Sequence, residues 1–245
     1  MKCLILAAGY ATRLYPLTKN FPKPLLEVGG KTILDWLVED IDSLKKIDEY
    51  VVISNHKFAE HFTKWAQTRS EKITVVDDNT SSNETRLGAV KDIEFALNEL
   101  KIDDDILIIA GDNLLDFSLT KFILYAEEKG ASCVMRYFEG DKKKLSKSGV
   151  LEIDESEKVL SMQEKPAEPK SNFCCPPFYF YRKEDAKKIA EAIEDGCAVD
   201  APGSFVSWLC TKTDVYAMNM PGKRFDIGNL ESYEMVKREY RGITN

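Results

Sequence analysis

No C-x-x-C pair occurs in this 245-residue sequence, whose six cysteines (Cys3, Cys133, Cys174, Cys175, Cys197, Cys210) are scattered along it. That spacing indicates neither a zinc site nor a disulfide framework, and Cys174 and Cys175, being adjacent, cannot easily bridge each other. Free thiols in a reducing cytoplasm are the expectation. No apolar run approaches the roughly 20 residues that a membrane-spanning helix needs. The amino terminus also lacks the basic flank and apolar stretch of a secretory leader. Internal repeats, low-complexity tracts and linkers are missing as well. Positive charge is in deficit: 34 Lys and Arg against 41 Asp and Glu give a net charge of −7, which argues against a general nucleic-acid binder. A soluble cytoplasmic protein is expected, with no membrane and no nucleic-acid partner.

With 44% hydrophobic and 31% charged residues, the chain is long enough to bury the core of one large α/β domain. Thr32 precedes Ile33, Leu34, Leu37, Ile41 and Leu44, one face of a helix that the threonine caps. Phe58, Phe62 and Trp65 mark a second helix, and Leu87, Val90, Ile93, Leu97 and Leu100 a third. Apolar runs at 49–54, 73–76, 106–110 and 132–137 read as strands, and 119–129 as a further helix. This alternation predicts a mostly parallel sheet with right-handed crossovers. Near Gly140 the pattern changes. The run GDKKKLSKSG at 140–149 reads as a basic, flexible connection, more a solvated loop than a binding patch. Segments 149–153 and 159–163 predict a hairpin, 178–181 a strand, 185–194 a helix closed by Gly196, and 215–220 a late strand. Residues 224–229 (RFDIGN) open a final helix through Tyr233 and Val236.

The stretch LILAAGYATRLYPLTKNFPK, residues 4–23, carries the most information. Leu4, Ile5 and Leu6 form the unbroken apolar run of a strand buried on both faces. Ala7, Ala8 and Gly9 remove bulk where that strand should end, so backbone N–H groups can approach a phosphate. Thr12, Arg13 and, ten residues on, Lys23 add a hydroxyl and two cations on what reads as a surface loop. That set suits a polyphosphate. Gly30-Lys31-Thr32 is not a P-loop, because Leu25 stands where that motif needs a glycine; Gly29-Gly30 reads as a turn. Further along, the strand at 106–110 runs into Gly111-Asp112-Asn113. It presents a carboxylate at the carboxyl edge of the sheet, where open α/β sheets bind ligands.

The whole string G-x-x-T-R-L-x-P-x-T, followed by P-K-P-L, resembles the signature of the sugar-1-phosphate nucleotidyltransferases. These are also called NDP-sugar pyrophosphorylases, and the glucose-1-phosphate thymidylyltransferases are among them. The resemblance covers nearly the whole chain, most specifically residues 4–26, 110–113, 163–172 and 226–233. It implies a Rossmann-like, doubly wound mixed (mostly parallel) sheet of the nucleotide-diphospho-sugar transferase type. A single domain over 1–245 is expected, with a nucleotide-binding half at 1–139 and a β-rich sugar-binding half at 140–245. The implied partners are a nucleoside triphosphate and a sugar 1-phosphate, joined with release of pyrophosphate, and a homo-oligomer is compatible with the family.

Such a transfer needs no general base, since a phosphate whose second pKa is about 6 is already ionised at neutral pH. It needs charge neutralisation and in-line positioning, including a divalent cation, here Mg²⁺. By resemblance, Asp112 and Asp226 (of D-x-G) hold the metal; taken singly, each is equally well a turn or capping aspartate. Arg13 and Lys23 take the phosphates as catalytic groups with Asp112. Leu6, Ala7, Ala8, Gly9, Thr12, Arg13, Gly88 and Asp112 line the nucleotide. In Glu164-Lys165-Pro166, Glu164 takes the sugar hydroxyls and Lys165 the sugar phosphate, with Gly149 and Tyr179 lining the same pocket.

Departures are specific. Tyr10 or Ala11 stands where relatives show a second glycine, and Arg224 where they often carry an aromatic. The base loop reads N-E-T-R-L-G-A in place of Q-P-x-G-[LT]-A, so thymidine need not be the preferred base. Cys174-Cys175-Pro176-Pro177 replaces a small, often glycine-containing run, so the sugar can differ from glucose. The regulatory extension and the left-handed β-helix of some relatives are not expected. Two rivals remain: a cytidylyltransferase for a non-sugar phosphate such as phosphocholine, and a catalytically silent nucleotide-sugar-binding regulatory subunit.

Overall fold

The computed structural model describes residues 1–244. The chain divides into two compact units, each discontinuous in sequence: Met1–Arg86, Ala110–Lys121 and Pro221–Asn245 form the first, Leu87–Ile109 and Phe122–Met220 the second.

Three parallel strands underlie the first unit. Lys2–Leu6 pairs with Glu49–Ser54, which pairs in turn with Ile73–Asp77. Cys3, Leu4, Ile5, Val51, Val52 and Ile53 are fully buried, as strands covered on both faces must be. The helix Ile33–Asp42 buries Ile33, Leu34, Leu37, Val38 and Ile41. A reciprocal cap fixes its start: the Asp35 N–H donates to Thr32 Oγ1 at 3.0 Å, and the Thr32 N–H to Asp35 Oδ2 at 2.9 Å. The other Asp35 oxygen accepts from the Trp65 indole, on helix Ala59–Ala66, and from Arg69, both at 2.9 Å. Gly29 and Gly30, both at positive φ, turn the hairpin between Glu27–Val28 and Lys31–Thr32, so the G-K-T run closes a hairpin.

Two further strands are too short for periodicity to reveal. Asn113–Leu115 and Arg224–Asp226, three residues each, pair antiparallel. Residues 224–226 are therefore strand. The final helix starts only at Leu230, after the Asn229 side chain has capped it by accepting from the Ser232 N–H at 2.8 Å.

In the second unit the strands run in the spatial order Val159–Glu164, Gly149–Ile153, Phe173–Cys175, Ser132–Phe138, Phe178–Tyr181, Ile106–Ala110, antiparallel at each step. Val215–Asn219 lies parallel to Ser132–Phe138. Parallel and antiparallel strands with intervening helices give the mixed α/β architecture that the sequence predicts. Locally there are two corrections. The basic run near 142 contains a short helix, Lys142–Leu145, because the Asp141 carboxylate caps it by accepting from the Lys143 N–H at 2.9 Å. The helix expected over 185–194 is two, Lys183–Ala186 and Ile189–Glu194. The buried Asp185 carboxylate accepts from Ser132 Oγ at 2.6 Å, which ties the first of these to the sheet. Among the described residues no helix is long and apolar enough to cross a membrane.

Candidate active site

In the first unit the small-residue loop leaves strand Lys2–Leu6 and is pinned from behind by Asn55, which is fully buried. Its Nδ2 donates to the Ala8 carbonyl at 2.9 Å and its Oδ1 accepts from the Phe58 N–H at 3.1 Å. The Ala7 N–H donates to the Ile53 carbonyl at 2.9 Å, leaving Gly9 exposed beyond it. Ala11 then sits in the left-handed region at φ 47°, uncommon for an alanine. Its carbonyl accepts from Thr18 Oγ1 at 2.8 Å and from the Leu14 N–H at 3.0 Å, closing one 3₁₀ turn over Thr12–Leu14. The turn presents Thr12 and Arg13 to solvent.

Lys23 is not on the surface, contrary to the reading of its loop: the residue is only 6% exposed. Its Nζ donates to Asp112 Oδ2 at 2.7 Å. The Gly111 N–H donates to the Leu6 carbonyl at 3.0 Å and so fastens the G-D-N segment to the end of the first strand. The second Asp112 oxygen accepts from Asn113 Nδ2 at 2.8 Å, and Asn113 Oδ1 accepts from Arg224 Nη1 at 2.7 Å. Asn113 lies directly opposite Asp226 in the antiparallel register. Residues opposite each other, and residues two apart, share a face. Arg224, Asp226 and the Asn113 amide therefore stand on one face, and Asn113 links the Asp112 carboxylate to Arg224. Where Gly228 has no side chain, an added Cβ would lie 3.9 Å from both Arg13 Nη1 and Asp226 Oδ2, so the Arg13 fork reaches the same neighbourhood.

Leu6, Ala7, Ala8, Gly9, Thr12, Arg13, Lys23, Asp112 and Asp226 thus belong to one group. Asn113 and Arg224 join it as groups whose roles the sequence did not disclose, although Asn113 completes the G-D-N triplet. Among the described residues no set of three or more His, Cys, Asp or Glu forms a metal cage. The carboxylates of Asp112 and Asp226 are nonetheless a donor set of the kind Mg²⁺ takes, which uses one or two carboxylates and completes its shell with phosphate oxygens and water.

In the second unit Glu164 and Gly149 are cross-strand partners, and Cys175 faces Gly149 from the other side. The Glu164 carboxyl folds into space that only glycine leaves open. An added Cβ would lie 3.3 Å from Glu164 Oε2 at Gly149 and 2.5 Å from it at Gly203, and at either position it would overlap the Met162 methyl. Burial raises the Glu164 pKa; Lys165 opposes that rise and the Asp200 charge adds to it. The Cys175 thiol is pushed well above its ordinary range by burial and then by the Glu164 charge. Lys165 is exposed, at φ 46°, and its N–H donates to the Ser148 carbonyl at 3.1 Å. Gly203 is the residue that sequence reasoning missed here.

Tyr179 is placed differently. It lies buried in strand Phe178–Tyr181, stacked on Tyr181 with centroids 6.0 Å apart. Gly88, at φ 94°, lets the start of helix Ala89–Glu99 meet residues 199–200. The Ala89 N–H donates to the Asp200 carbonyl at 3.2 Å and the Val90 N–H to the Val199 carbonyl at 3.0 Å, while an added Cβ at Gly88 would lie 2.5 Å from the Val199 oxygen.

Comparison with known proteins gives the same direction. A family model described as nucleotidyl transferase matches residues 2–242. A protein of Sulfolobus acidocaldarius that carries the name mannose-1-phosphate guanyltransferase is 27% identical over 98% of this chain and 63% of its own length. A UTP–glucose-1-phosphate uridylyltransferase of Synechocystis is 27% identical over 95% of this chain and 61% of its own length. The chain thus spans less than two thirds of these curated relatives. A crystal structure of UDP-glucose pyrophosphorylase complexed with UDP-glucose matches with a TM-score of 0.79 at 19% identity, covering 98% of this chain and 97% of that one. The last is a likeness of fold.

Proposed function

The chain belongs to the nucleotidyl transferase family, and from that premise we propose that it joins a nucleoside triphosphate to a sugar 1-phosphate, releasing pyrophosphate. What supports this most is the pairing of Lys23 with Asp112, on a segment whose next residue, Asn113, lies opposite Asp226 in the strand register.

In this reading Asp112 and Asp226 hold Mg²⁺, which when bound offsets charge on the triphosphate and the departing pyrophosphate. Arg13, exposed on its 3₁₀ turn, grips two phosphate oxygens with its fork. Lys23, gripped by Asp112, offers its ammonium to the α-phosphate, where charge grows as the new bond forms. Ala7, Ala8 and Gly9 keep side chains out of the way, and Thr12 adds a hydroxyl. On the second unit Glu164 takes sugar hydroxyls, Lys165 the sugar phosphate, and Gly149 permits close approach; Tyr179 and Gly88 support these walls. The incoming phosphate is already anionic, so positioning replaces a general base. All six cysteines are free, which suits a reducing compartment, and we place the reaction in the cytoplasm.

The base does not transfer from relatives: two that are equally similar carry names with different nucleotides. Pyrophosphate release across an array of four triphosphates and several sugar 1-phosphates tests the proposal. Turnover with sugar 1-phosphates is expected. Turnover only with CTP and phosphocholine, or none with any pair, would overturn it.

A further inference from the structure

The second unit carries a cavity of about 510 Å³ between helix Lys142–Leu145 and the segment 167–172. Its wall includes Lys142, Lys143 and Lys170, with Ser146 and Asn172, and a single acid, Glu168. The chain as a whole is acidic, with a net charge of −7. Like charges gathered on one wall repel unless something neutralises them. Here Glu168 alone offsets them on that wall: among the described residues none of the three lysines forms an ion pair, and neighbouring Lys144 alone reaches an acid, Glu139, at 3.6 Å. Three of four lysines in the 142–147 run stay uncommitted, and the fold brings a fourth cation, Lys170, to them from a distant part of the sequence.

We propose that this cavity is an effector site for a phosphorylated small metabolite. Lysine ammonium groups are compact charges with rotatable donors, suited to a phosphate dianion. The volume lies within the range of small-molecule sites and exceeds what a bare anion needs. Glu168 offers an acceptor for a hydroxyl on the same molecule. The hydroxyls of Ser146 and Ser171 and the Asn172 amide already donate within the chain, to the carbonyls of Lys143, Leu151 and Glu139, so they shape the wall and the lysines do the binding.

The site is coupled to the sugar-binding assignment through the backbone. Ser148, at the end of the segment that follows the short helix, accepts from the Lys165 N–H at 3.1 Å, and Lys170 N–H donates to Gln163 Oε1 at 3.0 Å. An anion drawing helix Lys142–Leu145 and the 167–172 segment together therefore braces Glu164 and Lys165 from both flanks. This coupling rests on the function proposed above, whereas binding itself does not.

Amide spectra of the 15N-labelled full chain test it, titrating inorganic phosphate at fixed ionic strength with chloride as the control. Saturable shifts are expected in residues 142–148 and 167–172, weakened at least about tenfold in the Lys143→Gln/Lys170→Gln variant. Both side chains are exposed, so the variant folds. Absent shifts, equal shifts with chloride, or shifts that persist in the variant would overturn the site. A metabolite that binds yet leaves the affinity for glucose 1-phosphate unchanged would overturn the effector role, because coupling is reciprocal. Failure of the proposed reaction would show separately, as lack of pyrophosphate release with these shifts intact.

Discussion

Lys23 and Asp112 stand 89 positions apart in sequence and 2.7 Å apart in the fold, the lysine almost wholly buried and the aspartate side chain 41% exposed. The pair joins the end of the loop that follows the first strand to the edge of the G-D-N segment. It makes the lysine a strut for the carboxylate and, under the proposed function, a charge for substrate as well.

Lys23→Ala should therefore do two things. Turnover should fall about 100- to 1000-fold, the usual loss when a preorganised charge is removed, and stability should drop by about 1 kcal/mol as Asp112 loses its partner. Arg13→Ala, on an exposed turn, should match the kinetic loss with no change in Tm. Pyrophosphate release and thermal melts of the two variants check this. Lys23→Ala with near wild-type turnover would end its assignment.

Asp112→Asn and Asp226→Asn should each weaken Mg²⁺-dependent turnover severely, and the double variant should lose far less than the two penalties combined, because the carboxylates act as one unit. Turnover titrated against Mg²⁺ for the three variants tests the pairing. Full activity of the wild-type chain in excess chelator would refute it.

Gly203→Ala places a methyl group 2.5 Å from Glu164 Oε2 and onto the Met162 methyl. Overpacking of this kind costs about 1–3 kcal/mol. Sugar-phosphate binding should weaken with little change in triphosphate binding. Trimming Met162 to Ala in the same chain should restore melting temperature more than sugar affinity, since the clash with Glu164 remains. Calorimetric titration with each ligand separates the two effects.

Glu164 should also govern a pH difference. Its folded pKa is raised, chiefly by burial, so the native state favours the protonated form. The stability contributed by that proton is fully present below the unfolded value of 4.5 and is lost as pH rises through the folded pKa. Glu164→Gln should accordingly melt higher than wild type at pH 7, with the gap shrinking as pH falls toward 4.5. A gap that stays constant across that range would show that ionisation is not its source.

Much of the architecture was legible because it is local. Thr32 announces its helix through an oxygen that accepts from a backbone N–H three residues on, a device contained within four positions. The apolar runs at 4–6 and 50–53 are continuous because both faces are covered, and the sequence displays that directly. What stayed hidden depends on partners far along the chain. Strand Arg224–Asp226 is three residues long and exists through its pairing with Asn113–Leu115. Lys23 looks like a loop lysine because nothing near it in sequence reveals that a carboxylate 89 positions away draws it inward. Gly203 carries no motif, and its reason lies in the side chains of Met162 and Glu164.

The first unit draws on three separated stretches, and this sets an order of events at the ribosome. Chains emerge amino terminus first at about 5–20 residues per second, so the stretch between the two short strands takes on the order of ten seconds to appear. Throughout that interval Asn113–Leu115 has no partner on the edge that Arg224–Asp226 later occupies, while residues 122–220 of the second unit are being made. A chain stalled short of residue 224 exposes Leu114 and Leu115 on a bare edge, a marker for chaperones and proteases. It also lacks Asp226. Interrupted synthesis therefore yields a recognisable fragment, and under the proposed function it is missing half of the carboxylate pair and does not compete with finished copies for the cation.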